Sequence, residues 1–314
     1  MQGLDGRVLR DFLVVVQEGS IRRAADRLNI APSAVSRKLA DAERQLGVTL
    51  VTRSSQGVVL TEAGRLLREH ALHMQDEQTF LLDQLGRFRE SGGQIVRVAL
   101  GEGFAADLMQ NGLAPLGQAH PQMQFRADLA GTEEIQRRVI EGEADIGIAY
   151  DPMTSSATRS LAIMRQPLCA VVPVGSPLAG RDRISLAGVL AHPVAMLDGR
   201  HAIRNLVGRA ASDHGLALRP QVETSSIAAL LRYVGAGMGA TFLPRFSASI
   251  QAARGEVVIV DLDEESLQHV SAHLFVRARR RLPGSVGVTA EFLARHMAAF
   301  HDLALLKSQR NVPQ

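Results

Sequence analysis

The sequence predicts a mixed α/β protein in three parts: a helical N-terminal unit with a β-hairpin, one long helix, and two similar α/β halves. Three observations predict this order. Two short amphipathic helical patterns flank a turn near residue 30, and apolar residues then recur every seven positions between residues 67 and 88. From residue 95 onward, apolar strand-like runs alternate with helical patterns.

Composition restricts the class of protein. The chain has 314 residues, of which 46% are hydrophobic and 21% charged, as expected for a globular chain of two or three domains. The first residues lack a secretory signal, and no apolar run approaches the roughly 18 residues that span a bilayer. We therefore expect a cytoplasmic protein with no membrane partner. The single cysteine, Cys169, excludes an internal disulfide and a cysteine-based zinc site.

Positive charge is concentrated near the N-terminus. Between residues 20 and 68, nine Lys or Arg residues stand against four Asp or Glu residues, a local net charge of +5, so that the rest of the chain contributes −2 to the total of +3. Such asymmetry is typical of nucleic-acid contact, although many basic surfaces touch no nucleic acid. Charge alone leaves both possibilities open.

The stretch GSIRRAADRLNIAPSAVSRKLADAERQLG (19–47) predicts two helices around a turn. Ser20 is a suitable N-cap for the first helix, and Pro32 suits the first turn of the second. Apolar side chains follow at helical spacing, at Ile21, Ala24, Ala25 and Leu28, and then at Val35, Leu39, Ala42 and Leu46. This spacing leaves hydroxyl and cationic side chains on the exposed start of the second helix, which suits entry into a major groove. A plain helical hairpin with a solvated face is the alternative.

The next stretch, VTLVTRSSQGVVLTEAG (48–64), predicts a β-hairpin. Two β-rich runs at 50–53 and 58–60 flank the polar turn SSQG, and the hairpin would carry Arg53 toward a DNA backbone. The two helices and this hairpin together make a winged helix–turn–helix.

Residues 12–67, FLVVVQEGSIRRAADRLNIAPSAVSRKLADAERQLGVTLVTRSSQGVVLTEAGRLL, resemble the N-terminal signature of the LysR-type transcriptional regulators. Two positions depart from it: Ala31-Pro32 stands where the family most often has Ser-Gln, and Leu50-Val51 where it often has Leu-Phe. A glutamine that could contact a base or phosphate is therefore absent. The expected DNA-binding residues are Ser20, Pro32, Ser33, Ser36, Arg37, Lys38 and Arg53.

A long helix is predicted over residues 61–90. Leu67, Met74, Leu81 and Phe88 recur every seven residues and form an apolar seam. The alternative is a surface helix packed on its own domain. The resemblance implies a dimerising linker helix, with these four residues at the dimer contact and a hinge at 91–94.

The remaining chain predicts two related α/β halves. Residues 123–150 and 217–244 are equal in length, and each runs as strand, hydroxyl-capped helix, glycine turn and strand. Such βαβ units predict parallel sheets with helices on both faces, and two similar halves imply a cleft between them.

This layout resembles the effector-binding domain of the same family, which has a periplasmic-binding-protein-like (type 2) fold. The predicted domains are a DNA-binding domain at 1–60, a linker helix at 61–90, a hinge at 91–94 and an effector domain at 95–314. Lobe one comprises 95–166 and 273–314, and lobe two comprises 167–272.

The cleft predicts an effector site. Strands of such lobes end at the cleft, and the helices that follow point their positive N-termini into it, which favours an anion. The expected effector-binding residues are Glu102, Gly103, Phe104, Thr132, His201, Arg204, Ser225 and Ser226. We expect a small polar acid or zwitterion, with Thr132 and Ser226 on its carboxylate and Glu102 on its other end. The alternative is that Glu102 turns to solvent.

Catalytic motifs are missing from the sequence. It has no Walker A, HExxH or GxSxG motif, its glycine runs fail the dinucleotide fingerprint, and its ten histidines have no metal-ligand spacing. We therefore expect no catalytic residue, metal or cofactor. A ligand-responsive DNA-binding regulator is favoured over an α/β enzyme with an appended autoregulatory helix–turn–helix. The resemblance implies a homodimer or homotetramer on double-stranded promoter DNA, an effector that changes lobe closure, and RNA polymerase as a partner.

Overall fold

The computed structural model describes residues 5–54, 57–86, 95–278 and 280–301. These residues form two compact units. The first contains the described residues up to 86 together with 280–283, and the second contains 95–278 and 284–301.

The first unit begins with three helices. They are α1 (Gly6–Glu18), α2 (Ile21–Leu28) and α3 (Pro32–Leu46). Each ends at a residue in the left-handed conformation, namely Gly19, Asn29 and Gly47. The sequence predicted the bounds of α2 and α3, which are confirmed, but it wrongly placed Leu46 on the buried stripe. Leu46 is 38% exposed because the last turn of α3 extends beyond the core that covers Ala42.

A hairpin wing follows these helices. Strands β1 (Val51–Ser54) and β2 (Gly57–Leu60) are antiparallel. The Glu43 carboxylate of α3 accepts the backbone N–H groups of Leu50 at 2.8 Å and Val51 at 3.2 Å. The Val58 N–H donates to the Gly19 carbonyl at 2.9 Å. The wing is thus fixed to α3 and to the turn between α1 and α2.

Helix α4 (Glu62–Gly86) completes the first unit. Its 25 residues correspond to about 37 Å. Thr61 begins the helix by accepting the Gly64 N–H at 3.0 Å. Leu67, Ala71 and Leu72 are buried in the core formed with α1 and the wing. The predicted helix extends further, but residues 87–90 and the predicted hinge at 91–94 lie outside the described residues.

Lobe one of the second unit is built on a five-stranded sheet. Its strands are β3 (Ile95–Leu100), β4 (Gln124–Leu129), β5 (Ile146–Tyr150), β6 (Thr158–Arg165) and β13 (Ser271–Arg277), in the order β4-β3-β5-β13-β6. Its helices are α5 (Ala105–Asp107), α6 (Ala114–Ala119), α7 (Thr132–Ile140) and α13 (Gly284–His296). Strand β3 is parallel to β4 and β5, whereas β13 is antiparallel to β5 and β6.

Lobe two contains a four-stranded sheet and a two-stranded one. Its strands are β7 (Leu168–Pro173), β8 (Arg183–Ile184), β9 (Ala195–Leu197), β10 (Val222–Thr224), β11 (Thr241–Pro244) and β12 (Val257–Leu262), in the orders β11-β7-β12-β8 and β10-β9. Its helices are α8 (Leu186–Leu190), α9 (Ala202–Asp213), α10 (Ile227–Gly235), α11 (Arg245–Ala253) and α12 (Glu265–Gln268). The chain passes between the lobes at residues 166–167 and 269–270.

Three features of the second unit differ from the sequence prediction. The sheets are mixed, because the strands that follow each passage between lobes, β7 and β13, pair antiparallel to their neighbours. Lobe one resumes at Ser271, where β13 begins, two residues earlier than predicted. The helix predicted over 104–116 is divided into a 3-10 turn (Glu102–Phe104), α5, a π-helical segment (Leu108–Leu113) and α6.

Candidate DNA-binding and effector sites

The start of α3 presents a polar, cationic surface. Ser33, Arg37 and Lys38 are exposed and Ser36 is partly exposed, whereas Val35 and Leu39 on the other face are buried. Hydroxyl groups and cations at this end of a helix can reach phosphates and base edges in a major groove. The geometry therefore suits the predicted recognition helix.

The remaining DNA-binding candidates have different surroundings. The Ser20 hydroxyl accepts the Arg23 N–H at 3.4 Å as the N-cap of α2, and Pro32 is the first residue of α3. The ammonium of Lys38 lies 2.6 Å from the Asp11 carboxylate of α1. Arg53 lies in β1 opposite Val58, and its side chain is outside the described part of the chain.

The predicted seam residues of α4 differ in their exposure to solvent. Leu67 is only 8% exposed and belongs to the core of its own unit, so it is not available to a partner chain. Met74 and Leu81 are exposed, at 49% and 56%, and Leu82 and Leu85 are exposed beside them. Phe88 lies outside the described residues. The apolar surface of α4 thus begins beyond Leu72.

The cleft between the lobes of the second unit contains a small cavity of about 40 Å³. Five predicted effector-binding residues line it: Glu102, Gly103, Phe104, Thr132 and His201. A volume of this size holds about one to three water molecules. The two lobes therefore lie close together at this part of the predicted effector site.

Glu102 crosses this cleft. Its carboxylate accepts hydrogen bonds from the Ser226 hydroxyl at 3.1 Å and from the Ile227 backbone N–H, the first residue of α10. Glu102 therefore does not turn to solvent. It also occupies the position that the sequence reasoning gave to an effector carboxylate at Ser226.

Thr132 and His201 begin or precede two further helices whose starts lie at the cavity. Thr132 is the first residue of α7 and His201 precedes α9, and neither helix start has a side-chain cap. The His201 ring Nδ1 lies 3.1 Å from the Asp198 carboxylate. Hydrogen bonds from Arg200, and then from His201, hold the pKa of Asp198 well below its ordinary value.

Three predicted effector residues are not part of the cavity lining: Ser226, whose hydroxyl donates to Glu102, and Ser225 and Arg204. Ser225 is exposed, and the Arg204 guanidinium lies 4.0 Å from the Glu223 carboxylate. The sequence reasoning missed Tyr150, Phe246 and Ser247, which do line the cavity. Phe246 and Ser247 lie in the first turn of α11, which follows strand β11 directly. The strand-then-helix order that singled out Thr132 could therefore have found them.

A wider groove of about 960 Å³ lies beside the cavity, and it also includes Thr132. Arg200 and Arg209 line it from lobe two, and Glu133 and Glu134 line it from lobe one. Both signs of charge therefore meet at this groove.

Within the described residues, no group of three or more His, Cys, Asp or Glu side chains is arranged to hold a metal ion. None of the described helices has the length and hydropathy needed to cross a bilayer.

Comparison with known proteins agrees with this two-part layout. Residues 7–65 match the model of the bacterial regulatory helix-turn-helix protein, lysR family, and residues 89–298 match the LysR substrate binding domain. An uncharacterized HTH-type transcriptional regulator of Mycobacterium tuberculosis is 30% identical over 287 residues, which cover 88% of this chain and 91% of the relative.

Solved structures show the same fold. Full-length OxyR from Pseudomonas aeruginosa, determined as a variant, has a TM-score of 0.70 at 20% identity and covers 95% of this chain and 97% of its own. Full-length CbnR complexed with its target DNA has a TM-score of 0.52 at 20% identity and covers 93% and 99%. The helix–turn–helix, the two-lobed domain and both family matches lead to one conclusion: the chain belongs to the LysR family of transcriptional regulators.

Proposed function

We propose that this LysR-family regulator binds promoter DNA through the start of α3 and the wing, as a homodimer or homotetramer in the cytoplasm. The observation that carries the proposal is the exposed Arg37, with Ser33 and Ser36, on the outer face of a helix fixed to a wing. Among the described residues, the Arg37 side chain has no hydrogen-bond or ion-pair partner, so its charge is available to a phosphate. Recruitment of RNA polymerase is the proposed output.

The DNA-binding proposal is tested by selection from a random double-stranded DNA library with the full-length protein. Two copies of α3 related by two-fold symmetry should enrich an interrupted palindrome whose half-sites are separated by whole helical turns. A library that enriches no common sequence would contradict it.

The proposed effector is a small polar acid or zwitterion that binds between the lobes. Support comes from the helix starts at Thr132 and His201, which have no side-chain cap, because uncapped backbone N–H groups favour an anion. The wider groove gives such a molecule a route to Thr132. The cavity itself is small, so a molecule that fills it must move the lobes apart.

A metabolite screen by thermal shift tests this effector class. A ligand at 100 times its dissociation constant adds about 2.7 kcal/mol to stability, so binding should raise the melting temperature clearly. Thr132→Ala should reduce the rise in melting temperature that the hits cause. Thr158→Ala, on the edge strand β6 and outside the cavity lining, should leave that rise unchanged. Hits that are uniformly apolar, or that bind Thr132→Ala as well as the wild type, would contradict the proposal.

The enzyme alternative receives no support. The relatives and the family models are those of transcriptional regulators. Turnover of a screened metabolite by the purified protein would reopen it.

A further inference from the structure

Both oxygens of the Glu102 carboxylate accept hydrogen bonds at the start of α10. The Ser226 hydroxyl donates to one carboxylate oxygen at 3.1 Å, and the Ile227 N–H donates to the other. The same hydroxyl accepts the Ala229 N–H at 3.3 Å, so its proton and a lone pair are both used. This arrangement is how a helix N-terminus holds a bound carboxylate, except that the carboxylate here belongs to the other lobe of the same chain.

Neighbouring contacts hold the same segment of lobe one on lobe two. The Ser247 hydroxyl donates to the Gly103 carbonyl at 3.3 Å. The rings of Phe104 and Phe246 stack with centroids 5.1 Å apart, and both are buried. A Cβ atom at Gly103 would lie 3.1 Å from the Ile227 side chain, so the two lobes are in close contact at this point. Glu102 is therefore part of a packed interface that holds its carboxylate at α10.

We propose that Glu102 acts as an internal substitute for an effector carboxylate and determines which effectors the cleft accepts. Its charge neutralises the positive end of α10 and repels a second anion from that end. An effector acid is then directed to the uncapped starts of α7 and α9, and the group that faces Glu102 is neutral or positively charged. The same contact holds the lobes together at this end without an effector. This inference rests on the proposed function in one respect, namely that the cleft is the effector site.

Chemical rescue tests the inference without knowledge of the effector. The melting temperature of full-length Glu102→Ala is measured in sodium acetate and in sodium chloride at equal ionic strength. Loss of the cap should lower the melting temperature by about 2–5 °C. Acetate should restore at least half of this loss in a saturable way, because it refills the position of the missing carboxylate, whereas chloride should not.

Three further proteins complete the experiment. Glu102→Gln should melt below the wild type, because it lacks the charge, and should gain nothing from acetate, because its amide fills the space. Ser247→Ala removes a hydrogen bond from the same interface but no carboxylate, so acetate and chloride should act on it alike. Acetate and chloride should likewise have equal effects on the melting temperature of the wild type.

The inference is overturned if acetate and chloride have equal effects on Glu102→Ala, if acetate stabilises the wild type as much, or if Glu102→Gln melts as the wild type does. Its failure is distinguishable from failure of the proposed function. Rescue concerns only the contact between lobes, whereas the DNA selection and the metabolite screen test regulation directly.

Discussion

Arg37 and Lys38 are adjacent in α3, yet their charges have different surroundings. The Lys38 ammonium lies 2.6 Å from the Asp11 carboxylate, so part of its charge is neutralised within the unit. Arg37 is exposed, and no partner for it is found among the described side chains. When an unpaired protein cation neutralises a phosphate, the DNA releases a condensed counterion, so Arg37 should contribute more than Lys38 to the salt dependence of DNA binding.

The first prediction is that Arg37→Ala lowers the slope of log affinity against log salt by about one unit on a selected operator. Binding is measured by fluorescence anisotropy over a salt series. Arg44→Ala is the matched control, because Arg44 lies near the other end of α3 and pairs with Asp41 at 3.0 Å. An unchanged slope and affinity for Arg37→Ala would remove this residue from the interface.

The second prediction concerns the single cysteine. Burial raises the pKa of the Cys169 thiol to about 12, so at neutral pH the thiolate is scarce. Alkylation by iodoacetamide should be at least about a hundredfold slower in the native protein than in urea, and hydrogen peroxide should leave operator binding unchanged. The alkylation rate is measured by mass spectrometry. Fast alkylation of Cys169 in the native protein would contradict a buried, protonated thiol and would favour redox sensing.

Some site residues follow from the sequence and others do not. Thr132 was found because a hydroxyl residue after a strand marks a helix start, and the start of α7 faces the cavity. The bond between Glu102 and Ser226 joins residues 124 positions apart in different lobes. No local pattern encodes such a pairing, because it depends on how far the lobes close.

Among the elements, the wing depends on one glycine. Gly57 has a φ of +121°, and a Cβ atom there would lie 2.3 Å from the Gly19 carbonyl oxygen. The adjacent Val58 N–H donates to that same carbonyl. Substitution must therefore move the wing away from the turn between α1 and α2.

The third prediction is that Gly57→Ala destabilises the N-terminal unit by about 1–3 kcal/mol and weakens operator binding. Gly6→Ala is the control, because a Cβ atom at Gly6 meets no atom within 4 Å. Thermal unfolding and anisotropy report the two effects. Wild-type stability in Gly57→Ala would show that the wing does not require this backbone conformation.

Helix α4 carries the proposed dimer contact on its exposed apolar residues. The fourth prediction is that Leu81→Asp dissociates the oligomer of the full-length protein, because a charge buried at a contact between chains costs several kcal/mol. The monomer should remain folded, since Leu81 is already 56% exposed within the chain. Leu66→Asp, on the same helix and outside the seven-residue seam, should leave the oligomer intact. If Leu81→Asp sediments as the wild type does, the proposed dimer contact along α4 is contradicted.

Element boundaries were predictable where local signals fix them. The limits of α2 and α3 follow from Ser20, Pro32 and the left-handed residues that end each helix. Strand β10 covers only Val222–Thr224 of the run predicted from residue 217. The π-helical segment at Leu108–Leu113 was also missed, since a Cβ atom at Gly112 would lie 2.6 Å from Leu293 of α13 and this close packing is a tertiary effect.

At the scale of the whole molecule, the layout was predictable from the order of elements, whereas the state of the cleft was not. Two similar strand–helix–strand runs implied two lobes, and both lobes are present. Closure depends on contacts between distant segments, including the stacked pair Phe104 and Phe246. Under the proposed function, an effector that fills the cavity breaks such contacts, which would couple its binding to lobe movement.

The proposed function couples operator binding by α3 to effector binding between the lobes of the same chain. Footprinting of the full-length protein on a selected operator, with and without a thermal-shift hit, tests it most directly. We expect protection of an interrupted palindrome whose extent changes with the hit in the wild type and does not change in Thr132→Ala. A palindrome whose protection is the same with and without every hit, or no sequence-selective protection at all, would contradict the proposal.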